Sequence, residues 1–404
     1  MNTLRPARTY SKVSLILLAY IAFIALGMPD GLLGVGWPSI RADFLIPLDA
    51  MGTLLVASVS GYMTSSFLSG VLITRMGVGK LLAASCALTG LALIGYTLVP
   101  SWWMMVLLGV FAGLGAGAID AGLNTYVAAH FGERLMQWLH ASYGVGVTSG
   151  PIIMTFALTT LNSWRAGYRT VGGFQLLLAL GFLLTLPMWY PLPSDRREGD
   201  PRRLTDYRTP FGETLRRPKV WLSALLFFIY VGGEVSLGAW TYSLLVESRG
   251  ITPRVAGLWA GSYWATFTIG RMMAGLYARR VGVNLLVQGS LVGALLGALL
   301  LVWNPSPLAN VIAVALIGFF IAPVFPALTS GTSERVSAQF AVNTIGIQMA
   351  ASGLGTAVIP SILGILARRF SLEIIPICLV VVFAALYGLY LFSRTRQVHQ
   401  ERAQ

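Results

Sequence analysis

Apolar runs of roughly 20 to 25 residues recur along the whole of this chain, the length a helix needs to cross a bilayer. Transmembrane barrels use alternating segments of about ten residues, so run length alone selects helices. The chain has 404 residues, of which 56% are hydrophobic and only 11% charged. Soluble domains carry about 25% charged residues. The apolar excess is spread end to end, which excludes a soluble domain with one anchor. Arg5, Arg8 and Lys12 ahead of the run Val13 to Gly27 resemble a signal peptide. That run continues and many like it follow, so an uncleaved first helix is expected.

Twelve spans are predicted, near 13–36, 51–73, 80–99, 102–129, 138–160, 169–190, 219–245, 254–278, 283–303, 309–330, 340–367 and 373–393. The one long polar segment, Pro191 to Pro218, lies between the sixth and seventh and holds Arg196, Arg197, Arg202, Arg203, Arg208, Arg216 and Arg217. The expected fold is therefore an all-α integral membrane protein of twelve transmembrane helices in two pseudo-symmetric six-helix bundles. The bundles are residues 1–190 and 219–404, joined by a basic cytoplasmic linker, 191–218.

A formal charge of +13 would point to nucleic acid in a soluble protein. Here the basic residues cluster in alternate loops. With both termini cytoplasmic, about 20 of the 28 lie inside and about seven outside, as the positive-inside rule requires. Arg165, Arg169, Arg368 and Arg369 fall outside against the trend. The expected partners are the lipid bilayer, a small-molecule substrate and protons, with no nucleic acid. The expected state is a monomer in the inner (plasma) membrane. Cys86 and Cys378 lie in apolar spans and offer neither a disulfide framework nor a metal site. There is no nucleophile elbow, nucleotide loop or paired His/Cys ligand set, so neither an enzyme nor a cofactor is expected. The segments outside the spans are too short for a sensor's output domain.

Asp30, Asp120 and Glu234 interrupt these apolar runs. A carboxylate at the bilayer centre costs at least ~2.5 to 3.5 kcal/mol unless it faces a partner or a water-filled cavity. Such groups mark routes for protons, ions or polar substrates. An internal repeat pairs them. Gly70-x-x-x-Thr74-Arg75-x-Gly77-Val78 after span 2 matches Gly275-x-x-x-Arg279-Arg280-x-Gly282-Val283 after span 8. At nearly the same offset, Asp30-Gly-Leu-Leu-Gly34 matches Glu234-Val-Ser-Leu-Gly238. Parallel repeats of this kind place the binding site at their interface, near the bilayer midplane.

These loops resemble the signature of the major facilitator superfamily, Gly-x-x-x-Asp-Arg-x-Gly followed by basic residues. Thr74 stands where the family has Asp, a residue that helps lock the cytoplasmic side. The resemblance leaves Arg75 and Arg280 as gating residues. Tyr230-Val-Gly-Gly-Glu-Val-Ser-Leu-Gly-Ala-Trp240 and Gly113-Leu-Gly-Ala-Gly-Ala-Ile-Asp120-Ala-Gly-Leu-Asn124 are similar to the branch holding fucose–proton symporters and glucose/galactose transporters. That branch uses an Asp in span 1 and a Glu in span 4 for protonation and sugar recognition. The resemblance implies Asp30 and Asp120 in proton coupling, with a shorter side chain in span 4.

The residues themselves leave alternatives open. Gly109, Gly113 and Gly117 recur every four positions and give span 4 a face that a neighbour can approach closely. Asp120 and Asn124 share one face, as a cavity pair or as packing groups. Asp30 follows Pro29 among Gly27, Gly31, Gly34 and Gly36, which suggests a locally broken helix lining a cavity. The alternative puts Asp30 at the hydrated outer mouth. Glu234, with Tyr230 and Trp240 nearby, can hold a sugar's hydroxyls and ring face, or pin helix packing. Asn343 and Gln348 in span 11 are hydroxyl partners or interhelical glue. His140 is a proton relay or a structural histidine, and Arg271 snorkels to the surface or pairs with an acid. Trp102 and Trp103, at a span edge, read as interfacial anchors.

The leading expectation is proton-coupled symport of a small polar solute such as a monosaccharide. The rival is a proton-antiport exporter of drugs or amphipathic, lipid-like compounds. Its hint is Gly146-x-x-x-Gly150-Pro151 in span 5, which lacks the exporter motif's closing glycines and also suits plain close packing.

Overall fold

The computed structural model describes residues 12–130, 133–189 and 209–401. Most of the expected linker, namely residues 191–208, lies outside the described residues. Twelve long helices run α1 Lys12–Phe44, α2 Met51–Met76, α3 Val78–Tyr96, α4 Trp102–His130, α5 Glu133–Thr160 and α6 Trp164–Leu184, then α7 Pro218–Ser243, α8 Pro253–Val281, α9 Val283–Trp303, α10 Pro307–Ile321, α11 Ala338–Arg369 and α12 Ile374–Glu401. A π turn, Leu244–Ser248, extends α7, and short helices Val324–Ser330 and Thr332–Val336 follow α10 past Pro323.

Among the described residues, ten helices are long and apolar enough to cross a membrane, α10 being counted together with Val324–Ser330. The other two, α2 and α8, have 26 and 29 residues, enough length to cross, and both are rich in polar groups. α2 carries Ser58, Ser60, Tyr62, Thr64, Ser65 and Ser66; α8 carries Ser262, Tyr263, Thr266, Thr268 and Arg271. These are the helices that the sequence repeat relates to one another. Each ends at a glycine with φ of 79°, Gly77 and Gly282, a backbone conformation that L side chains rarely adopt.

The packing repeats as well. In the first half α1 packs on α5, α2 on α4, and α3 on α4 and α6. In the second, α7 packs on α11, α8 on α10, and α9 on α10 and α12. Across the halves α5 meets α8, α2 meets α11, and α1 meets α7.

Several boundaries differ from expectation by a few residues; two of them, the end of α1 and the start of α6, differ because charged residues near a span end were read as loop. α1 runs on through Pro38 to Phe44, since Trp37 and Ile40 are fully buried and Trp37 Nε1 donates to Leu48 O at 3.1 Å. α6 starts at Trp164 because its early arginines have partners. Arg165 pairs with Asp43, and Arg169 Nε donates to Thr97 Oγ1 at 3.1 Å.

The helix around Asp30 is continuous, not broken. Its glycines serve close approach instead. A Cβ on Gly27 would lie 2.4 Å from Tyr143 O, and one on Gly31 2.4 Å from Val147 O. Gly146 and Gly150 return the contact from α5, with a Cβ at 2.0 Å from Ile24 O and 2.6 Å from Met28 O. The Gly-x-x-x-Gly-Pro string thus builds the α1–α5 contact.

One end of the molecule is shut. Arg41 on α1 pairs with Glu247 beyond α7, and Arg368 Nη1 reaches Asp49 Oδ1 at 3.1 Å across the halves. A Cβ on Gly34 would sit 2.5 Å from Gly238 O at the same end. At the opposite end Arg75 and Arg280 are exposed and make no ion pair among the described residues. The side chains of Thr74 and Arg279 lie outside what is described. Exposed pairs are worth ~0.2 to 1 kcal/mol each, so removing both cross-half bridges shifts a two-state balance by roughly two- to thirtyfold. Spin labels on Leu45 and Thr252 report it. Glu247→Gln with Arg368→Gln is expected to enlarge a longer-distance population, and an unchanged distribution would show that these bridges do not hold the end shut.

Candidate functional site

The site begins with glycine. A Cβ on Gly113 would lie 1.9 Å from Ser58 O and one on Gly117 2.3 Å from Tyr62 O, so the predicted open face of α4 is filled by the backbone of α2. That approach brings the Tyr62 hydroxyl onto Asp120, donating a short hydrogen bond to Oδ2. Asn124 Nδ2, one turn on, donates to Asp120 Oδ1 at 2.8 Å and to its backbone oxygen at 3.0 Å. The sequence pair therefore shares a face as expected, and the acid holds the amide.

The α1–α5 contact does the same for Asp30. Tyr143 OH donates to Asp30 Oδ2 at 2.6 Å. Asp30 lies 14 residues before the end of α1, roughly 21 Å along the axis, and not at a mouth. It is solvent-accessible in spite of that depth. Asp30 and Asp120 are close enough to interact electrostatically, and Tyr62 feels both. Two carboxylates, each held by a tyrosine from the neighbouring helix, thus lie within electrostatic reach of each other in the first half. Neither tyrosine was singled out from sequence. Tyr143 lies about one turn after His140, and Tyr62 sits in the polar run of α2.

Glu234 approaches from α7. Tyr143 also lies within its electrostatic reach, which links it to the Asp30 side. Tyr263 OH donates to its backbone oxygen at 2.9 Å, but its carboxylate Oε2 is buried with no hydrogen bond. Tyr230 lies beside Glu234, yet its one proton goes to Ile321 O at 3.1 Å. Arg271 on α8 is within electrostatic reach of Glu234 without forming an ion pair. Its guanidinium stands 4.4 Å above the Phe267 ring, and its Nε donates to Ala322 O at 3.4 Å, so it faces the interior of its half. His140 packs edge-on to Phe23 at 5.6 Å and bonds none of the three acids.

The other predicted contacts lie elsewhere. Trp240 is fully buried, with Nε1 on Pro360 O at 3.0 Å, and has no ring face free. Tyr230 is likewise fully buried. Asn343 Nδ2 ties α11 to Thr209 O and Thr214 Oγ1, both at 3.0 Å, away from the three acids. Gln348 is buried between Ser223 Oγ at 2.7 Å and Thr332 Oγ1 at 3.0 Å. All four are spent on holding helices together. Their amide, indole and phenol groups carry the same sequence signal whether they face a ligand or a neighbouring helix. Trp102 is also buried, donating to Thr53 Oγ1 at 3.2 Å, while Trp103 is exposed.

A repeated helical fold around three intramembrane acids defines a membrane transporter, not an enzyme. The chain belongs to the Major Facilitator Superfamily, whose family model matches residues 19–360 and 235–404. It is 24% identical to Bypass of stop codon protein 6 of Saccharomyces cerevisiae, over 97% of this chain and 86% of that one. It is 25% identical to Sodium-dependent glucose transporter 1A of Mus musculus, over 87% and 89%. The expected likeness to the superfamily's glucose transporters is borne out by that relative. In fold it resembles a bacterial homologue of the human lysosomal transporter Spinster, crystallised inward-facing and unoccupied. The TM-score is 0.74 at 15% identity, covering 96% of this chain and 98% of that one.

Proposed function

We propose that this transporter couples protons to the uptake of a small polar solute, a monosaccharide, by alternating access. The single observation that carries the reading is the pair Asp30 and Asp120, within electrostatic reach of each other and each bonded to a tyrosine hydroxyl from the neighbouring helix. A carboxylate so held accepts hydrogen bonds when ionised and can take a proton, which removes a charge that is costly to carry through the bilayer. Loaded with proton and solute, the neutralised site can reorient; half-loaded, it cannot. Asn124 and Glu234, whose Oε2 makes no hydrogen bond among the described residues, are the groups for solute hydroxyls. Tyr230, Trp240, Asn343 and Gln348 support the site from behind. Arg75 and Arg280 gate the opposite end from the cross-half bridges.

In this reading all twelve helices cross the membrane, as bundles 1–190 and 219–404 rocking about the linker 191–218. Both termini are cytoplasmic, by the positive-inside count, in the cell's inner membrane, and the unit is a monomer. The shut end is then the outer face and the cavity opens inward. The mouse relative's name favours a second reading in one respect, sodium in place of the proton as the coupling ion.

Thermal unfolding of the purified protein against a panel of hexoses and deoxyhexoses tests the solute class. Ligand at 100 times its Kd adds about 2.7 kcal/mol. One sugar is expected to raise Tm, and Glu234→Gln to lose the shift. Stabilisation by amphipathic cations with none by sugars would replace uptake by the exporter. A sugar response that requires sodium would replace the coupling ion alone.

A further inference from the structure

A cavity lies away from the three acids, where α7 begins. It has a volume of about 110 Å³ and is enclosed by the start of α7, the short helix Thr332–Val336 and the far part of α12. Lys219, Arg335 and Ser223 give it polar walls, and Leu222, Leu226 and Phe392 give it apolar ones. A water takes up about 30 Å³, so the space suits a group of several heavy atoms.

Its charge is unbalanced. No carboxylate lines it, and Arg335 makes no ion pair among the described residues. Arg335 Nη2 is tied to Leu328 O and Thr332 Oγ1, but Nε is buried without a hydrogen bond and Nη1 makes none among the described residues. Burial pushes the Arg335 guanidinium down to about 10, against the pull of Tyr390 and Glu334. A guanidinium that is largely desolvated and has no ion-paired carboxylate among the described residues is costly unless an anion completes it. Ser223 Oγ accepts from Gln348, which leaves its own proton to donate. Arg216 and Arg217 precede α7 directly and add positive potential.

We propose that this cavity binds the phosphate of an anionic phospholipid, with Lys219, Arg335 and the Ser223 hydroxyl on the phosphate and Leu222, Leu226 and Phe392 against the acyl chains. The apolar walls select the lipid over a free anion, because a soluble phosphate gains nothing from them. Basic pockets between transmembrane helices recognise headgroups by this chemistry. Placing the site in the cytoplasmic leaflet rests on the orientation proposed above; binding itself does not, nor does it depend on what is transported.

The test titrates short-chain phosphatidylglycerol, phosphatidylcholine and inorganic phosphate into the detergent-purified full chain, with bound species counted by native mass spectrometry. Phosphatidylglycerol is expected to bind more tightly than phosphatidylcholine. Each cation near a headgroup is worth about fivefold in affinity, so Lys219→Gln and Arg335→Gln should each weaken phosphatidylglycerol by about that factor. Arg254→Gln, which removes an equal charge at the far end, should leave it unchanged. Arg335 also braces the Leu328 carbonyl, so Lys219→Gln, which breaks no hydrogen bond among the described residues, keeps the test open if Arg335→Gln does not fold. Equal binding of the two lipids, or no effect of Lys219→Gln, would overturn the proposal. Inorganic phosphate competing as well as the lipid would overturn the lipid and leave a soluble-anion site.

Discussion

Asp120→Asn is expected to abolish accumulation of solute while leaving exchange of solute across the membrane intact. One proton carried across 100 mV supplies about 2.3 kcal/mol, which supports roughly fiftyfold accumulation of a coupled neutral solute. Asparagine keeps the size of the side chain and can still meet Tyr62 and Asn124, but it cannot release a proton. A site fixed in the neutral state can reorient while loaded, so exchange of labelled for unlabelled solute persists. Net accumulation requires the proton to leave, so the ratio should fall to one. Asp30→Asn should behave alike, because both acids sit in the same electrostatic field. Uptake and counterflow in the same proteoliposomes measure the two quantities. Accumulation near the wild-type ratio in both single variants would place coupling elsewhere.

The second large effect falls on a glycine. A Cβ at Gly113 would meet Ser58 O at 1.9 Å, and the obstacle is backbone, so no side chain can swing aside. Alanine is the better helix former by about 1 kcal/mol, which taken alone predicts stabilisation. The clash wins, since overpacking costs typically 1 to 3 kcal/mol and here α2 itself must retreat from α4. Gly113→Ala should therefore lower Tm and, by drawing Tyr62 off Asp120, weaken proton coupling as well. Gly146→Ala should destabilise the α1–α5 contact similarly, with its Cβ at 2.0 Å from Ile24 O. Gly173→Ala is the control, because nothing lies within 4 Å of its added carbon. Thermal unfolding by fluorescence-detected size exclusion would show the contrast. Equal stability for Gly113→Ala and Gly173→Ala would contradict the close α2–α4 packing.

The helices were legible in the sequence because run length is a one-dimensional signal. Their ends were less so. Arg165 and Arg169 read as loop charges until Asp43 and Thr97 supply partners that are far away in sequence. The glycine face of α4 and the shared face of Asp120 and Asn124 follow from helical spacing, and the structure adds only which neighbour fills the face. Tyr62 and Tyr143 could not be found that way, since each meets its acid across 58 or 113 residues of chain. Trp240 and Gln348 show the converse. Residue type flagged them as ligand groups, but type does not say which side of a helix faces water. In a membrane protein the same amide that grips a sugar also grips the next helix.

The most direct test of the central claim is solute-evoked proton entry in proteoliposomes loaded with a pH-sensitive dye, without a sodium gradient. Wild type would be compared with Asp30→Asn and Asp120→Asn. The account predicts that a hexose or deoxyhexose added outside acidifies the lumen in wild type and that either substitution removes the signal. Solute uptake without any lumenal acidification, or acidification that survives both substitutions, would contradict it.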